Sequence, residues 1–242
     1  MSDQLNVLKN ELSHHVVGQE RVIERLIVSL LANGHCLLEG VPGVGKTMMT
    51  STLAQMVGGT FSRIQFTPDL LPSDIVGTRI YRASKESFDI ELGPIFANFV
   101  LADEINRAPA KVQSALLEVM AERQVTIGGV STKLALPFMV LATQNPIEQE
   151  GVYLLPEAQR DRFLMRVPVD YPTLAEEHEI ARRSSMPSRA PQQVLSLDEL
   201  VALQLQANAL PVPDAVQDYA VRLVMATRNP REFGFDSLDG WL

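Results

Sequence analysis

Two hydrophobic periodicities alternate along the chain. Short apolar runs bounded by Gly or Pro recur at residues 35–39, 61–66, 99–102, 138–142 and 164–169, lengths that suit buried strands rather than helices. Between several of them the apolar positions fall at helical spacing. Residues 19–33 put Val22, Ile23, Leu26, Ile27, Leu30 and Leu31 on one face, because side chains three and four apart share a side of an α-helix. Pro109 opens a second such stretch with Val112, Leu116, Val119 and Met120 as its buried stripe; proline is tolerated at a helix start, where its missing N–H has no partner to lose. Apolar strands alternating with helices predict an α/β fold with a mostly parallel sheet covered on both faces, and ligands at the carboxyl ends of its strands.

The pattern changes after Tyr171-Pro172. Thr173 with Glu176, and Ser196 with Glu199, have the spacing of capping boxes that start helices. No strand candidate follows, so the expected division is an α/β core over residues 1–171 and a helical lid over 172–242. Two hairpins are expected within the core. Residues 124–134 carry Gly128-Gly129 between strand-like runs, a two-residue hairpin turn. Residues 74–93 hold Ile75-Val76-Gly77, Ile80-Tyr81 and Phe88-Asp89-Ile90 around a polar tip.

Composition narrows the functional classes. With 242 residues, 46% hydrophobic and 21% charged, the chain can bury a substantial core and is unlike a disordered one. Its net charge of −8 is the wrong sign for a protein whose main task is to bind nucleic-acid backbones. The single Cys36 excludes an internal disulfide and suits a reducing compartment; its expected role is that of a small buried residue. The longest apolar stretches, such as 134–142, fall short of the ~20 residues that span a bilayer. The N-terminus is amphipathic and acidic, unlike a signal peptide, so a cytoplasmic location is expected. His14, His15, His35 and His178 have no metal-ligand spacing.

The chemical signals sit at strand ends. Gly40-Val41-Pro42-Gly43-Val44-Gly45-Lys46-Thr47 matches G-x-x-x-x-G-K-[ST], follows an apolar strand and precedes a helical pattern. Glycines in such a P-loop let successive backbone N–H groups converge on phosphate oxygens, aided by the positive end of the next helix. Lys46 then serves the β- and γ-phosphates of ATP and the Thr47 hydroxyl ligates Mg²⁺. The alternative is a Gly-rich turn before a surface lysine. A second strand ends in Leu101-Ala102-Asp103-Glu104. Asp103 sits where a carboxylate holds hydrated Mg²⁺, and Glu104 where one polarises the attacking water. Asn145, after the strand 138–142, can hydrogen-bond the γ-phosphate or the water, or belong to an ordinary Asn-Pro turn.

Together these residues resemble the ATPase core of a MoxR-type AAA+ protein. The resemblance runs from Val16-Val17-Gly18-Gln19 onward. It includes Thr67-Pro68-Asp69-Leu70-Leu71-Pro72-Ser73-Asp74-Ile75-Val76-Gly77, Leu101 to Ala108, and Ala142-Thr143-Gln144-Asn145-Pro146-Ile147-Glu148-Gln149-Glu150-Gly151 with Leu155-Pro156-Glu157-Ala158-Gln159. It implies a P-loop AAA+ core with a helical lid. Val17 and Gly18 match the segment lining the adenine pocket. Gly40, Pro42, Gly43, Val44, Gly45, Lys46, Thr47 and the following Met48 match Walker A, and Asp103 and Glu104 match Walker B. Asn145 matches sensor 1. Arg162, in Asp161-Arg162-Phe163, matches an arginine finger acting on a neighbouring subunit's ATP; Arg160 is close by, and a surface ion pair is the alternative role. The 74–93 hairpin resembles the helix-2 insertion, and in relatives both hairpins line a ring pore. Gln65 is placed to couple substrate binding to Glu104.

The resemblance further implies a hexameric ring with a chaperone-like role on a client, often with a partner carrying a von Willebrand factor A domain. A lid of this family carries a further Arg (sensor 2) beyond Phe233-Gly234-Phe235, and residues 236–242 stop short of it. The expectation is therefore an incomplete lid with weak hydrolysis and retained nucleotide binding. Three other readings share these motifs: a nucleic-acid remodeller, a chelatase motor subunit, and a scaffold switched by ATP without hydrolysis. Steep salt-dependent DNA binding marks the first, activation by a porphyrin-binding subunit the second, and activity surviving Glu104→Gln the third.

Overall fold

The structure, a computed structural model, describes residues 2–41, 43–84, 86–145, 152–186 and 189–235. The chain begins with helices α1 (Ser2–His15) and α2 (Glu20–Leu31), then strand β1 (Cys36–Gly40), helix α3 (Lys46–Met56) and strand β2 (Phe61–Gln65). A short helix α4 (Pro72–Val76) leads into strands β3 (Gly77–Arg82) and β4 (Ser87–Leu92). Strand β5 (Phe99–Asp103), helix α5 (Ala110–Glu122), strands β6 (Gln124–Ile127), β7 (Val130–Lys133) and β8 (Met139–Gln144) follow. Helix α6 (Glu157–Arg160) and strand β9 (Met165–Val169) precede helices α7 (Leu174–Ser184), α8 (Leu197–Asn208) and α9 (Asp214–Arg228).

Five of these strands form one parallel sheet in the order β2-β5-β8-β1-β9. Successive side chains leave a strand on opposite faces, and this alternation divides the core in two. Cys36 and Leu38, Phe99 and Leu101, Met139 and Leu141, Val167 and Val169 pack with α1, α2 and α3. Leu37, Val100, Ala102, Val140 and Ala142 pack with α5 and the β6–β7 hairpin. Of the six positions expected on the inner face of α2, Val22, Ile23, Leu26, Ile27 and Leu30 are buried and Leu31 is half-buried. Each fully buried side chain of this size contributes roughly 1.5–3 kcal/mol before conformational entropy opposes it. The α5 stripe is buried as its spacing predicts, and Pro109 stands one residue before the first helical one, as the N-cap.

Both expected hairpins form. β3 pairs antiparallel with β4 from Gly77 opposite Leu92 to Arg82 opposite Ser87. Gly77 has φ +102°, and a Cβ there would lie 2.2 Å from the Glu91 carbonyl oxygen, so backbone packing itself demands glycine. Ile80, Tyr81, Phe88 and Leu92 are exposed; Tyr81 and Phe88 meet edge to face at 5.1 Å, and the Arg79 guanidinium lies 4.2 Å over the Phe88 ring. β6 and β7 are joined by Gly128 and Gly129, both at positive φ.

No strand follows β9 among the described residues, in line with the switch to helical patterning after Tyr171. Backbone packing groups the chain into two compact units, Met1–Leu205 and Gln206–Leu242. Within the first, Leu195, Leu200 and Leu203 join the apolar cluster that covers β1, and Gln204 donates to the Leu30 carbonyl (2.7 Å). In the second unit α9 is followed by a 3-10 turn, Pro230–Phe233, closed by the Phe235 amide on the Pro230 carbonyl. Pro42, residues 146–151 of the diagnostic run, and residues 236–242, where the sequence stops short of a sensor-2 Arg, lie outside the described residues.

Candidate functional site

Strand register gathers the chemistry at one edge of the sheet. Gln65 stands beside Asp103, Ala102 beside Ala142, and Leu38 beside Thr143, so the ends of β2, β5, β8 and β1 lie side by side. From the end of β1 the chain turns through Gly43 (φ +88°) and Gly45 (φ +80°) into α3, whose N-cap is Gly45. Left-handed residues in such a turn aim successive amides at one point, at the positive end of the helix. A Cβ at Gly43 would meet nothing within 4 Å, which leaves the approach to the loop open.

Lys46 is buried at the start of α3 and its ammonium donates to the Gly40 carbonyl (2.7 Å). Burial holds its pKa below the ordinary lysine value, opposed by the charges of Asp103 and Glu104. Thr143 links the two acids: its hydroxyl donates to Asp103 Oδ1 (2.6 Å) and accepts from the Glu104 amide (2.8 Å). Glu104 has φ +57°, a left-handed backbone that a non-glycine residue adopts at a cost, and this hydrogen bond helps to hold it there. Gln65 Nε2 donates to Glu104 Oε2 (2.8 Å), and Arg107 pairs with the same oxygen at 3.1 Å. The Arg63 guanidinium lies on Asp103 Oδ2, with Nη2 at 2.5 Å and Nε at 3.1 Å.

These groups line a cavity of about 440 Å³ bounded by Gly43, Gly45, Lys46, Thr47, Met48, Arg63, Gln65, Asp103, Glu104 and Asn145. A larger cavity of about 760 Å³ shares Gly43, Gly45 and Met48 with it and extends to Val16, Val17, Val44, Tyr171, Ile180 and Met186, with a charged rim where Glu179 pairs with Arg182 and Arg183. The smaller cavity carries two cations, two carboxylates, a hydroxyl and the amides of Gln65 and Asn145; the larger adds the aliphatic side chains of Val16, Val17, Val44 and Ile180 and the Tyr171 ring. The pair has the chemistry to hold a phosphorylated ligand with a divalent cation at one end and a flat apolar group at the other. Among the described residues no group of three His, Cys, Asp or Glu could hold a metal alone, so a cation here would be shared between Thr47, Asp103 and ligand oxygens.

Most of the expected site residues thus come together. Gly40 contributes only its carbonyl, and a Cβ there would lie 2.3 Å from the Val169 carbonyl oxygen. Gly18 (φ +75°) lines neither cavity; a Cβ there would meet the Glu176 carboxyl carbon at 2.6 Å. Arg162 follows α6 and is exposed, with Nη1 donating to the Leu117 carbonyl of α5 (2.5 Å); it lines neither cavity. Arg63, Thr143 and Tyr171 are the residues that sequence reasoning missed. For Arg63 the only signal was its position two residues before Gln65, on the same side of a strand.

His35, at the foot of β1, is structural. Its Nδ1 accepts from the Val140 amide (3.0 Å), its Nε2 faces the Met120 carbonyl (3.3 Å), and burial pushes its pKa down to about 4. Cys36 is fully buried, and burial raises its thiol to about 11.

A profile of the ATPase family associated with various cellular activities (AAA) matches residues 35–165. Chaperone MoxR1 of Mycobacterium tuberculosis is 58% identical over 232 residues, which make up 96% of this chain and 62% of that protein. Protein MoxR of Paracoccus denitrificans is 34% identical over 240 residues, covering 93% of this chain and 69% of that one. A crystal structure of a candidate ATPase from Cytophaga hutchinsonii superposes with a TM-score of 0.89 at 47% identity, over 97% of this chain and 72% of that one. The chain spans less than two thirds of the length of the tuberculosis protein. With a five-stranded parallel sheet, a glycine-rich turn into α3 and paired acids at the end of β5, the chain belongs to the ATPase family associated with various cellular activities, in its MoxR-type branch.

Proposed function

We propose that this chain binds ATP with Mg²⁺ and hydrolyses it to remodel or mature a client protein. The observation that carries the reading is the convergence of Lys46, Thr47, Asp103, Glu104 and Asn145 on one 440 Å³ cavity that shares a wall with the larger one. The triphosphate lies along Gly43 to Lys46 with the adenine toward Val17. Thr47 and, through water, Asp103 hold the cation, which neutralises phosphate charge. Glu104 orients the lytic water and Asn145 the γ-phosphate side. Gln65 restrains Glu104 until a client engages. Arg162, exposed and absent from the lining of its own subunit's cavities, acts on the ATP of a neighbour, which requires head-to-tail packing in a closed ring, a hexamer by the resemblance to the family. The chaperone-like role rests on similarity to Chaperone MoxR1; a cytoplasmic setting and a partner with a von Willebrand factor A domain belong to the same reading.

Calorimetry on paired variants tests the core of it. Lys46→Ala is expected to abolish ATP binding, and Glu104→Gln to keep binding while turnover falls at least about a hundredfold, the usual range for losing a general base. Unchanged affinity in Lys46→Ala overturns the phosphate assignment, and unchanged turnover in Glu104→Gln overturns the role of the acid.

A further inference from the structure

Arg63 is the cation of the site that no recognised motif explains. It reaches from β2 across to the end of β5, puts both Nε and Nη2 on Asp103 Oδ2, and donates through Nη2 to Gln65 Oε1 (2.9 Å). That second bond has a consequence for Gln65. With its oxygen engaged by a donor-only guanidinium, the amide presents its nitrogen outward, and Nε2 donates to Glu104 Oε2 (2.8 Å). Two side chains therefore connect the two acids: Asp103, Arg63, Gln65 and Glu104 form a continuous chain of hydrogen bonds.

The charges agree with this. The cavity contains two cations and two carboxylates, but Lys46 is engaged with the Gly40 carbonyl at 2.7 Å. The direct ion pair of Asp103 is with Arg63, on Oδ2, while Thr143 occupies the other oxygen, Oδ1, and Lys46 acts on both acids through its charge alone. A hydrated magnesium ion must reach Asp103 by hydrogen bonds from its water ligands, and Oδ2 is the acceptor that the guanidinium covers.

We propose that Arg63 is a positioning residue that stands in for the cation at Asp103 in the resting site. Loading of Mg²⁺-nucleotide moves it off Oδ2, and that movement breaks the Arg63–Gln65 bond, so that a client can release Glu104 from Gln65 only once the metal is in place. The inference rests on the assignment of Asp103 to the magnesium of a bound nucleotide. It adds a prior occupant to the metal position and gives the water-orienting acid a means of sensing that the metal has arrived. The Arg63 side chain is 49% exposed, so its replacement leaves the core untouched.

The test uses a fluorescent ADP analogue and the intact chain, with Mg²⁺ titrated at fixed nucleotide. Wild type must bind the analogue and bind it more tightly with Mg²⁺; if it does neither, the nucleotide assignment itself fails. Given that, Arg63→Met is expected to lower the half-saturating Mg²⁺ concentration roughly two- to fivefold, the factor set by losing a half-exposed ion pair of ~0.5–1 kcal/mol. Arg63→Lys keeps the charge but not the planar fork that spans both partners, and is expected to fall between the two. Metal-free affinity for the analogue should drop in Arg63→Met, because a cation has left the phosphate cavity. A half-saturating Mg²⁺ concentration that is unchanged or raised in Arg63→Met overturns the proposal, as does Arg63→Lys reproducing wild type while Arg63→Met shifts, which would reduce the effect to bulk charge.

Discussion

His35 shows how one side chain ties stability to pH. It is buried between β8 and α5, accepting from the Val140 amide, and its folded pKa near 4 lies below the ordinary value near 6.5. Its contribution is complete above about pH 6.5 and is lost as pH falls toward 4, because the unfolded chain takes up the proton first; the loss approaches about 3 kcal/mol. Urea midpoints measured at pH 7 and 5 should therefore drop more in wild type than in His35→Gln. Equal drops would remove the histidine as the cause. At this scale the sequence revealed the motif residues and hid their partners. Gly43, Gly45, Lys46, Thr47, Asp103 and Glu104 announce themselves because phosphate chemistry restricts both residue type and spacing. Arg63 and Thr143 do not, because each acquires meaning only when β2 and β8 take up register beside β5.

Elements were legible wherever local chemistry specifies them. Thr173 with Glu176, spaced as a capping box, forms one at the start of α7: the Thr173 amide donates to Glu176 Oε2 (2.6 Å) and the Glu176 amide to Thr173 Oγ1 (3.5 Å). Ser196 and Glu199 do the same before α8. The first box has a second duty, since the Glu176 carboxylate covers Gly18 at the edge of the segment leading to Val17. Thr173→Ala should cost about 1 kcal/mol, lowering Tm by roughly 2–4 °C for a chain of this size. The Glu176 pKa, held down first by the Thr173 amide and then by its hydroxyl, should rise only in part, because Thr173→Ala keeps the amide. Thermal melts and carboxyl titration by NMR check the two, and an unchanged Tm would remove the Thr173 hydroxyl as a stabilising cap. The packing of α8 was not legible. It depends on which helices the sheet recruits, and Leu200 and Leu203 carry no local signal that they pack against β1.

For the whole molecule, the position of Arg162 matters most. Its guanidinium is held to the Leu117 carbonyl of α5, and it lines neither of its own subunit's cavities. If the residue acts across a subunit boundary, Arg162→Ala should retain nucleotide affinity while turnover falls by roughly 10³ or more. Mixing it with Lys46→Ala, itself inactive, should restore measurable turnover at interfaces that pair an intact loop with an intact Arg162. A mixture as inactive as its components would exclude the trans arrangement.

Cys36 has a practical corollary. As the chain's sole cysteine, fully enclosed and with its thiol raised to about 11, it presents almost no thiolate to a labelling reagent at neutral pH. Ser84→Cys, at the exposed tip between β3 and β4, therefore provides a single reactive handle on a silent background. A dye attached there reports on that tip while the native thiol remains in place.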